Sequence, residues 1–358
     1  AIARTAWASG VHAIVIPAHS AAPVNSDAIK NVSLIKGGMP AQYGGRLSSV
    51  VDVTMKDGNN QKTQVEGGVG LIASRISVQG PIKKDKSSFI VSARRTYIDA
   101  IAKPLLKKGN FSGSGYYFYD LNAKMNFKLG EQDRLFFSGY FGRDVFDFKN
   151  KERSFNTGIT WGNSTATARW NHIFNRKLFA NTTLLYNDYK FRFDATQNNF
   201  QIALSSGIKD LSGKIDFDYY ASPEHKIKFG GLFTYHRFIP NQLSGKQDSI
   251  IFSPNTGLQK YANETGLYIQ DDWEVNNRIK INAGLRFGSF TQIGPYKLYT
   301  TDAAGNRLDS IVYGSGKKVK GYNGLEPRFT LRYALNDSSS IKAAITRNVQ
   351  YIHLASNS

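Results

Sequence analysis

"GLYIQDDWEVNNRIKINAGLRFG", Gly266 to Gly288, reads as two extended runs joined by a short polar turn at 275–278. In the second run Ile279, Ile281, Ala283, Leu285 and Phe287 share one face, and Lys280, Asn282, Gly284, Arg286 and Gly288 share the other. Side chains on a strand alternate sides, so this order makes a strand with one apolar wall and one wet wall. The Asn-Asn pair supplies residues that a tight reversal needs. "LEPRFTLRY" repeats the pattern, with Leu325, Pro327, Phe329, Leu331 and Tyr333 opposite Glu326, Arg328, Thr330 and Arg332. "HKIKFGGLFTY" sets Ile227, Phe229, Phe233 and Tyr235 on one side. Half-buried antiparallel sheets of any kind show this period, so the rest of the chain must say what the apolar wall faces.

From about Thr63 onward, strands are joined alternately by short and long connections. The short turns fall at 83–86, 129–133, 174–177, 222–225, 275–278 and 335–338, and the long ones at 101–114, 147–154, 191–198, 239–260 and 292–321. Antiparallel neighbours that turn tightly on one rim and loosely on the other describe an up-and-down sheet with two unlike ends, as in outer-membrane barrels. The strands between are about 12 to 18 residues long, against a usual five or six, and a barrel strand needs about 9–11 in lipid alone. Aromatics gather near strand ends: Tyr116, Tyr117, Phe118 and Tyr119; Phe141, Phe146 and Phe148; Tyr186, Tyr189 and Phe191; Tyr219 and Tyr220; Trp273. Amphipathic rings at two heights are what membrane–water girdles require.

Composition agrees. The 358 residues include 19 Tyr, 23 Phe and 33 Gly, suited to strands and corners. No run of 18 apolar residues exists, so a transmembrane helix is excluded. The mean hydropathy of −0.37 still allows a barrel, which needs apolar residues only at alternate positions. The absence of cysteine rules out disulfides, zinc-thiolate sites and thiol nucleophiles. A net charge of +19 raises nucleic-acid binding, but the bases are scattered, with no cluster beyond 82–86, which fits a solvated wall or an anionic lipid surface better. The six histidines stand apart from one another, and Asp271 and Asp272, adjacent on a strand, point to opposite faces. No enzyme, metal site or cofactor is expected.

The segment ahead of the strands carries a more specific signal. "DAIKNVSLIKGGMPAQYGGRLSSVVDVTMKDG", Asp27 to Gly58, resembles the end of the plug domain of TonB-dependent outer-membrane transporters. Lys36-Gly37-Gly38 stands where that family has Arg-Gly-Pro, Ala41 to Arg46 matches its Ala-x-Tyr-Gly stretch, and Val50 to Thr54 fits the closing strand. "GLYIQDDW" resembles the family's Tyr-x-Gln-Asp-x-Trp hairpin, and "PRFTLRYAL" its Pro-Arg strand. "QGPIKKDKSSFIVSARRTYID" resembles the first hairpin of a subgroup with a carboxypeptidase-regulatory-like N-terminal domain, and not the SusC-type glycan importers.

The resemblance implies an all-β protein: a transmembrane antiparallel up-and-down β-barrel, about 12 of some 22 strands, with part of an N-terminal plug. Residues 1–60 are expected to be the plug's C-terminal part and 61–358 the first half of the barrel. Residues 1–24, alanine-rich and unlike a plug, are read as discontinuous with the rest, and no function is placed on His12 or His19. The glycines let a compact stopper approach the inner wall closely. Lys36 and Arg46 are expected to meet inward barrel carboxylates, with Tyr43 in the same contact, and Lys36 offers no bidentate fork. Arg94, Arg95 and Tyr97 lie at a strand-to-loop boundary where a ligand, the lumen or the plug is in reach. The implied activity is import across the Gram-negative outer membrane, driven by the TonB-ExbB-ExbD complex. Lipids and lipopolysaccharide are further partners, and so is a surface lipoprotein or another outer-membrane subunit. A transporter-like barrel kept as a structural subunit, without import, would carry the same barrel sequence.

Overall fold

The computed structural model describes residues 27–47, 49–101, 109–252, 259–302 and 307–352. Residues 1–26, with His12 and His19, lie outside the described residues, as does His353. Two strands come first, β1 (Ile29–Lys36) and β2 (Ser49–Met55), paired antiparallel in a small sheet of their own. Then follow β3 (Gln64–Val69), β4 (Ala73–Lys83), β5 (Ser87–Thr96), β6 (Gly115–Lys128), β7 (Asp133–Asn150), β8 (Phe155–Ile173), β9 (Leu178–Gln197), β10 (Phe200–Tyr220) and β11 (His225–Gln247). The chain continues through β12 (Ile250–Phe252), β13 (Lys260–Glu274), β14 (Ile279–Ile293), β15 (Tyr296–Thr301), β16 (Arg307–Tyr313), β17 (Lys318–Ala334) and β18 (Ser340–Thr346).

Thirteen strands form one antiparallel path from β3 to β18 in chain order, with β12 folded onto β11 and the β15–β16 hairpin standing apart. This is the expected up-and-down order. All six short turns are present, between β4 and β5, β6 and β7, β8 and β9, β10 and β11, β13 and β14, and β17 and β18. The other rim departs from the expectation of loops. The β9–β10 ladder runs on to Gln197 opposite Phe200 and reverses in two residues, with Asn198 at φ 51°. The β7–β8 ladder likewise reaches Asn150 opposite Phe155. Alternation in "KFRFDAT" (190–196) never breaks, so nothing ends pairing there, and β10 and β11 reach 21 and 23 residues.

Burial is inverted relative to a soluble sheet. Side chains on the outward face are large, apolar and exposed: Leu184, Leu211, Phe233, Leu267, Ile269, Leu285 and Leu325. Those facing inward are polar and buried: Asn122, Thr165, Asn187, Ser212, Thr234, Gln270 and Arg286. An apolar outer wall around a polar interior is stable only with lipid outside. Rings mark both margins of the apolar belt. Phe217 stacks on Phe229 at 4.9 Å and His225 on Trp273 at 5.3 Å beside the short turns, while Tyr235 and Tyr261 stack at 6.1 Å toward the other rim. A run of neighbouring aromatics must split between faces, and it does: Tyr116 turns inward, its hydroxyl donating to Asp144 Oδ1 at 2.8 Å.

Candidate functional site

The small sheet and the loop that joins its strands lie against the polar inner wall. Met39, Tyr43 and Val50 pack as an apolar cluster with Ile35 beside it, so the segment has a core of its own. Barrel side chains then grip its backbone. Arg328 Nη1, on β17, lies 3.2 Å from the Met39 carbonyl oxygen, 2.7 Å from that of Pro40 and 2.5 Å from that of Tyr43. Its Nη2 donates to Glu326 Oε2 at 2.8 Å, and the same carboxylate oxygen accepts the Val349 N–H at 3.2 Å. Arg286, opposite Glu326 in the β14–β17 register, reaches the Ala41 carbonyl oxygen at 3.5 Å and Glu326 Oε1 at 3.7 Å. Glu326 is 1% exposed and both arginines 3%, so three charges share one dry position. Gln270 Oε1 accepts the Gln42 N–H at 3.1 Å, and Lys228 Nζ donates to Gln42 Oε1 at 3.4 Å.

A second grip lies after β2. Lys124 Nζ contacts the Met55 carbonyl oxygen at 3.2 Å and the Asp57 carboxylate at 2.6 Å. Ser88 Oγ and Asn126 Nδ2 both donate to the Asp57 carbonyl oxygen at 2.6 Å.

Most of this grip has the opposite polarity to the one expected from the sequence, and Arg46 beside Glu264 is a contact of the expected kind. The gripping cations sit on the barrel, and most of the acceptors are backbone oxygens of the inserted segment. Lys36 is exposed at the end of β1, opposite Ser49. Arg46 donates to the Gly45 carbonyl oxygen at 2.6 Å and acts electrostatically on Glu264 of β13. The Tyr43 hydroxyl lies 3.4 Å from Asp52 Oδ2 on β2. Neither residue is on a membrane-spanning strand; burial, with the nearby Asp52 carboxylate, pushes the Tyr43 phenol up to about 12, and burial raises the Asp52 carboxyl.

Arg94, Arg95 and Tyr97 are not brought together. Arg94 faces the lumen, 2.6 Å from Asp120, with its guanidinium 4.8 Å over the Phe118 ring. Arg95, the next residue on the strand, faces the other way, over Tyr117 at 5.3 Å and 3.8 Å from Asp99. The Tyr97 hydroxyl meets Ser74 Oγ at 3.3 Å and donates to the Gly70 carbonyl oxygen. Sequence reasoning placed Arg286, Glu326 and Arg328 on the wet face but gave them no role. Their signal is opposite charge at inward positions of neighbouring strands.

Glycines make the contact this close. The Arg286 guanidinium occupies the space that a Cβ on Gly44 or on Gly266 would take. Gly45 has φ +69°, and a Cβ there would lie 2.7 Å from Glu264 Oε1. Gly45→Ala is therefore expected to incur about 1–2 kcal/mol for the left-handed backbone, and to displace Glu264 as well. Gly37→Ala, at φ +65° with nothing within 4 Å, incurs the backbone part alone. Thermal unfolding of both variants checks this, and equal losses would refute the close approach at Gly45.

An apolar belt, a polar lumen and a stopper held from the inner wall define a plugged outer-membrane barrel. Residues 99–351 match the family model described as TonB dependent receptor-like, beta-barrel, and the chain belongs to that family, whose barrels sit in the Gram-negative outer membrane. Among solved structures it is similar to the copper transporter OprC, at 10% identity and TM-score 0.63 over 91% of this chain and 51% of that one. It is also similar to the ferric-catecholate import receptor Fiu from E. coli K12, at 14% identity and TM-score 0.60 over 91% of this chain and 60% of that one. The ferric yersiniabactin uptake receptor FyuA from Yersinia pestis matches at 12% identity and TM-score 0.62, over 87% and 50% of the two chains. The chain thus spans half to three-fifths of the length of these structures. A search of curated protein sequences finds no match.

Proposed function

We propose that the chain belongs to an active importer rather than an enzyme or a passive pore, with residues 27–60 as the end of its plug. Further strands beyond β3 and β18 would close the barrel, since lipid does not tolerate an open sheet edge. The observation that carries this reading is the chemistry of the plug contact. The plug meets the wall mainly through side-chain donors on backbone oxygens, and such polar contacts exchange readily with water once pulled apart. A permanent structural seal would be expected to bury apolar surface instead. In this reading the TonB system pulls the plug from the periplasmic side, the grip of Arg328, Arg286 and Lys124 releases, and cargo passes along the polar inner wall.

A tether tests it. The chain has no cysteine, so Gln42→Cys with Gln270→Cys can be joined by a cleavable bifunctional thiol reagent without background labelling. Ferric catecholate and copper are the first probes, because OprC and Fiu are named for such cargo. Uptake is expected to stop in tethered cells and return after reduction. No uptake in untethered cells would leave the barrel as a structural subunit, and uptake that depends on neither the tether nor the TonB system would make it a passive pore.

A further inference from the structure

The rim opposite the short turns holds a pocket that the plug contact does not use. Barrels of this kind turn their short connections toward the periplasm, so this rim faces away from the cell. Phe148 lies fifteen residues above Asp133, the first residue of β7. At about 3.3 Å per residue and a tilt of 35–45° it stands about 35–40 Å above the short-turn rim. The apolar belt of an outer-membrane barrel is about 25 Å tall, so the pocket is clear of the membrane. It measures about 640 Å³, and its lining includes Phe111, Phe148, Phe155, Glu152, Arg153 and Gln197. That volume is ordinary for a small-molecule site. Phe148 is the middle ring of three, with centroids 5.5 Å from Phe111 and 6.4 Å from Phe155.

Three segments of chain are stitched together to make it. The Lys151 N–H donates to the Asn110 carbonyl oxygen at 2.8 Å, and Asn110 Nδ2 donates to Glu152 Oε2 at 2.7 Å. The Lys149 N–H donates to Ser114 Oγ at 2.8 Å. The Asn198 N–H donates to the Ser154 carbonyl oxygen at 3.1 Å, which joins the β9–β10 reversal to the β7–β8 one. The Arg153 N–H donates to Asn150 Oδ1 at 3.1 Å and fixes the turn itself. Rings and turn are thus held relative to one another, and a ligand would meet a site formed in advance. Within this frame Glu152 and Arg153 carry opposite charges, and neither has an ion-pair partner among the described residues. The side-chain amide of Gln197, opposite Phe155 in the β8–β9 register, has no hydrogen-bond partner among them either.

We infer that this pocket takes a zwitterion with an apolar body, the chemistry of a short apolar peptide. The three rings cover the apolar side chains, and the Gln197 amide meets a peptide group. Glu152 accepts from the free ammonium, and the Arg153 fork donates to the carboxylate. Opposite charges one residue apart select this class. A ligand with a single charge would strip water from one of the two and give it no partner, and a neutral apolar ligand would do so to both. The inference rests on the proposed import role, for which it names the cargo.

The test uses the whole protein in mild detergent, with binding of the dipeptide Leu-Phe followed by titration calorimetry. The N-acetylated dipeptide lacks the ammonium, and the C-terminal amide lacks the carboxylate. Each is expected to bind about tenfold more weakly than the free dipeptide, the loss that goes with one charged hydrogen bond. Glu152→Gln is expected to lower affinity for the free dipeptide about tenfold and to leave the acetylated one unchanged, because both changes remove the same interaction. Arg153→Gln should behave likewise toward the amidated dipeptide. Phe148→Ala should weaken all three ligands. Equal binding of the three dipeptides by the unaltered protein overturns the proposal, and that comparison needs no variant to fold. Absence of Leu-Phe binding at millimolar concentration, or an equal effect of Glu152→Gln on the free and acetylated forms, overturns it too. The titration involves no transport. A barrel that imports in the tether experiment but does not bind Leu-Phe keeps its role and loses this cargo, whereas one that binds without importing keeps the pocket.

Discussion

Arg328→Ala is expected to loosen the plug and to lower the stability of the folded barrel by about 3–5 kcal/mol, the loss that follows when one partner of a buried ion pair is removed. The side chain contributes two things at once. It neutralises Glu326 at 2.8 Å, in a position where the only other cation within 4 Å among the described residues, Arg286, is 3.7 Å away. It also supplies donors to three plug carbonyl oxygens that burial would otherwise leave short of partners. Denaturant unfolding should show a lower midpoint, and protease should cut the 39–45 loop faster than in the wild type. Arg328→Lys keeps the charge but not the planar fork, and should fall between the two. Glu326→Gln removes the carboxylate that both arginines share and should also destabilise. An Arg328→Ala protein with wild-type unfolding and an intact plug would mean that the grip described here does not hold the plug.

The second large effect concerns the outer wall. Ile269 is 54% exposed and five residues above Glu274 at the short-turn end of β13, which puts it near the middle of the apolar belt. Ile269→Arg is expected to destabilise insertion by about 2–4 kcal/mol, the penalty for a cation at mid-membrane on a barrel's lipid face. Gln270→Arg, one residue on, points into the wet lumen and should be spared that penalty, although it gives up the bond to Gln42. Reversible folding into lipid vesicles measures both. An Ile269→Arg protein that folds as well as the wild type would remove the assignment of that face to lipid.

How far the sequence could be read follows from which forces are local. Alternation decides the face of each residue, and Ile281, Leu285, Glu326 and Arg328 all lie on the sides that period two assigns them. Turn chemistry is local too, so the Asn276-Asn277 reversal and its five counterparts were legible. The ends of the longer strands were not. The stretch 191–198 carries the polar residues of a loop, yet pairs as a ladder, because a partner of matching length on β10 decides whether pairing goes on. The plug contact was legible as a place and not as a set of partners. A sequence shows Lys36 and Arg46 as charges in a glycine-rich segment, whereas backbone oxygens, which every residue carries, leave no mark in it. That Arg328 would bind three of them depends on how the segment is threaded through the lumen.

A receptor that reads main-chain oxygens is indifferent to most of the letters it holds. The clasp itself thus constrains the path of residues 39–43 and not their side chains, and Met39 and Tyr43 are held instead by the segment's own apolar cluster; Gly44, Gly45, Arg286, Glu326 and Arg328 belong to the clasp. Variation among relatives should therefore spare the clasp and fall on those side chains of the inserted segment that neither the clasp nor the apolar cluster holds.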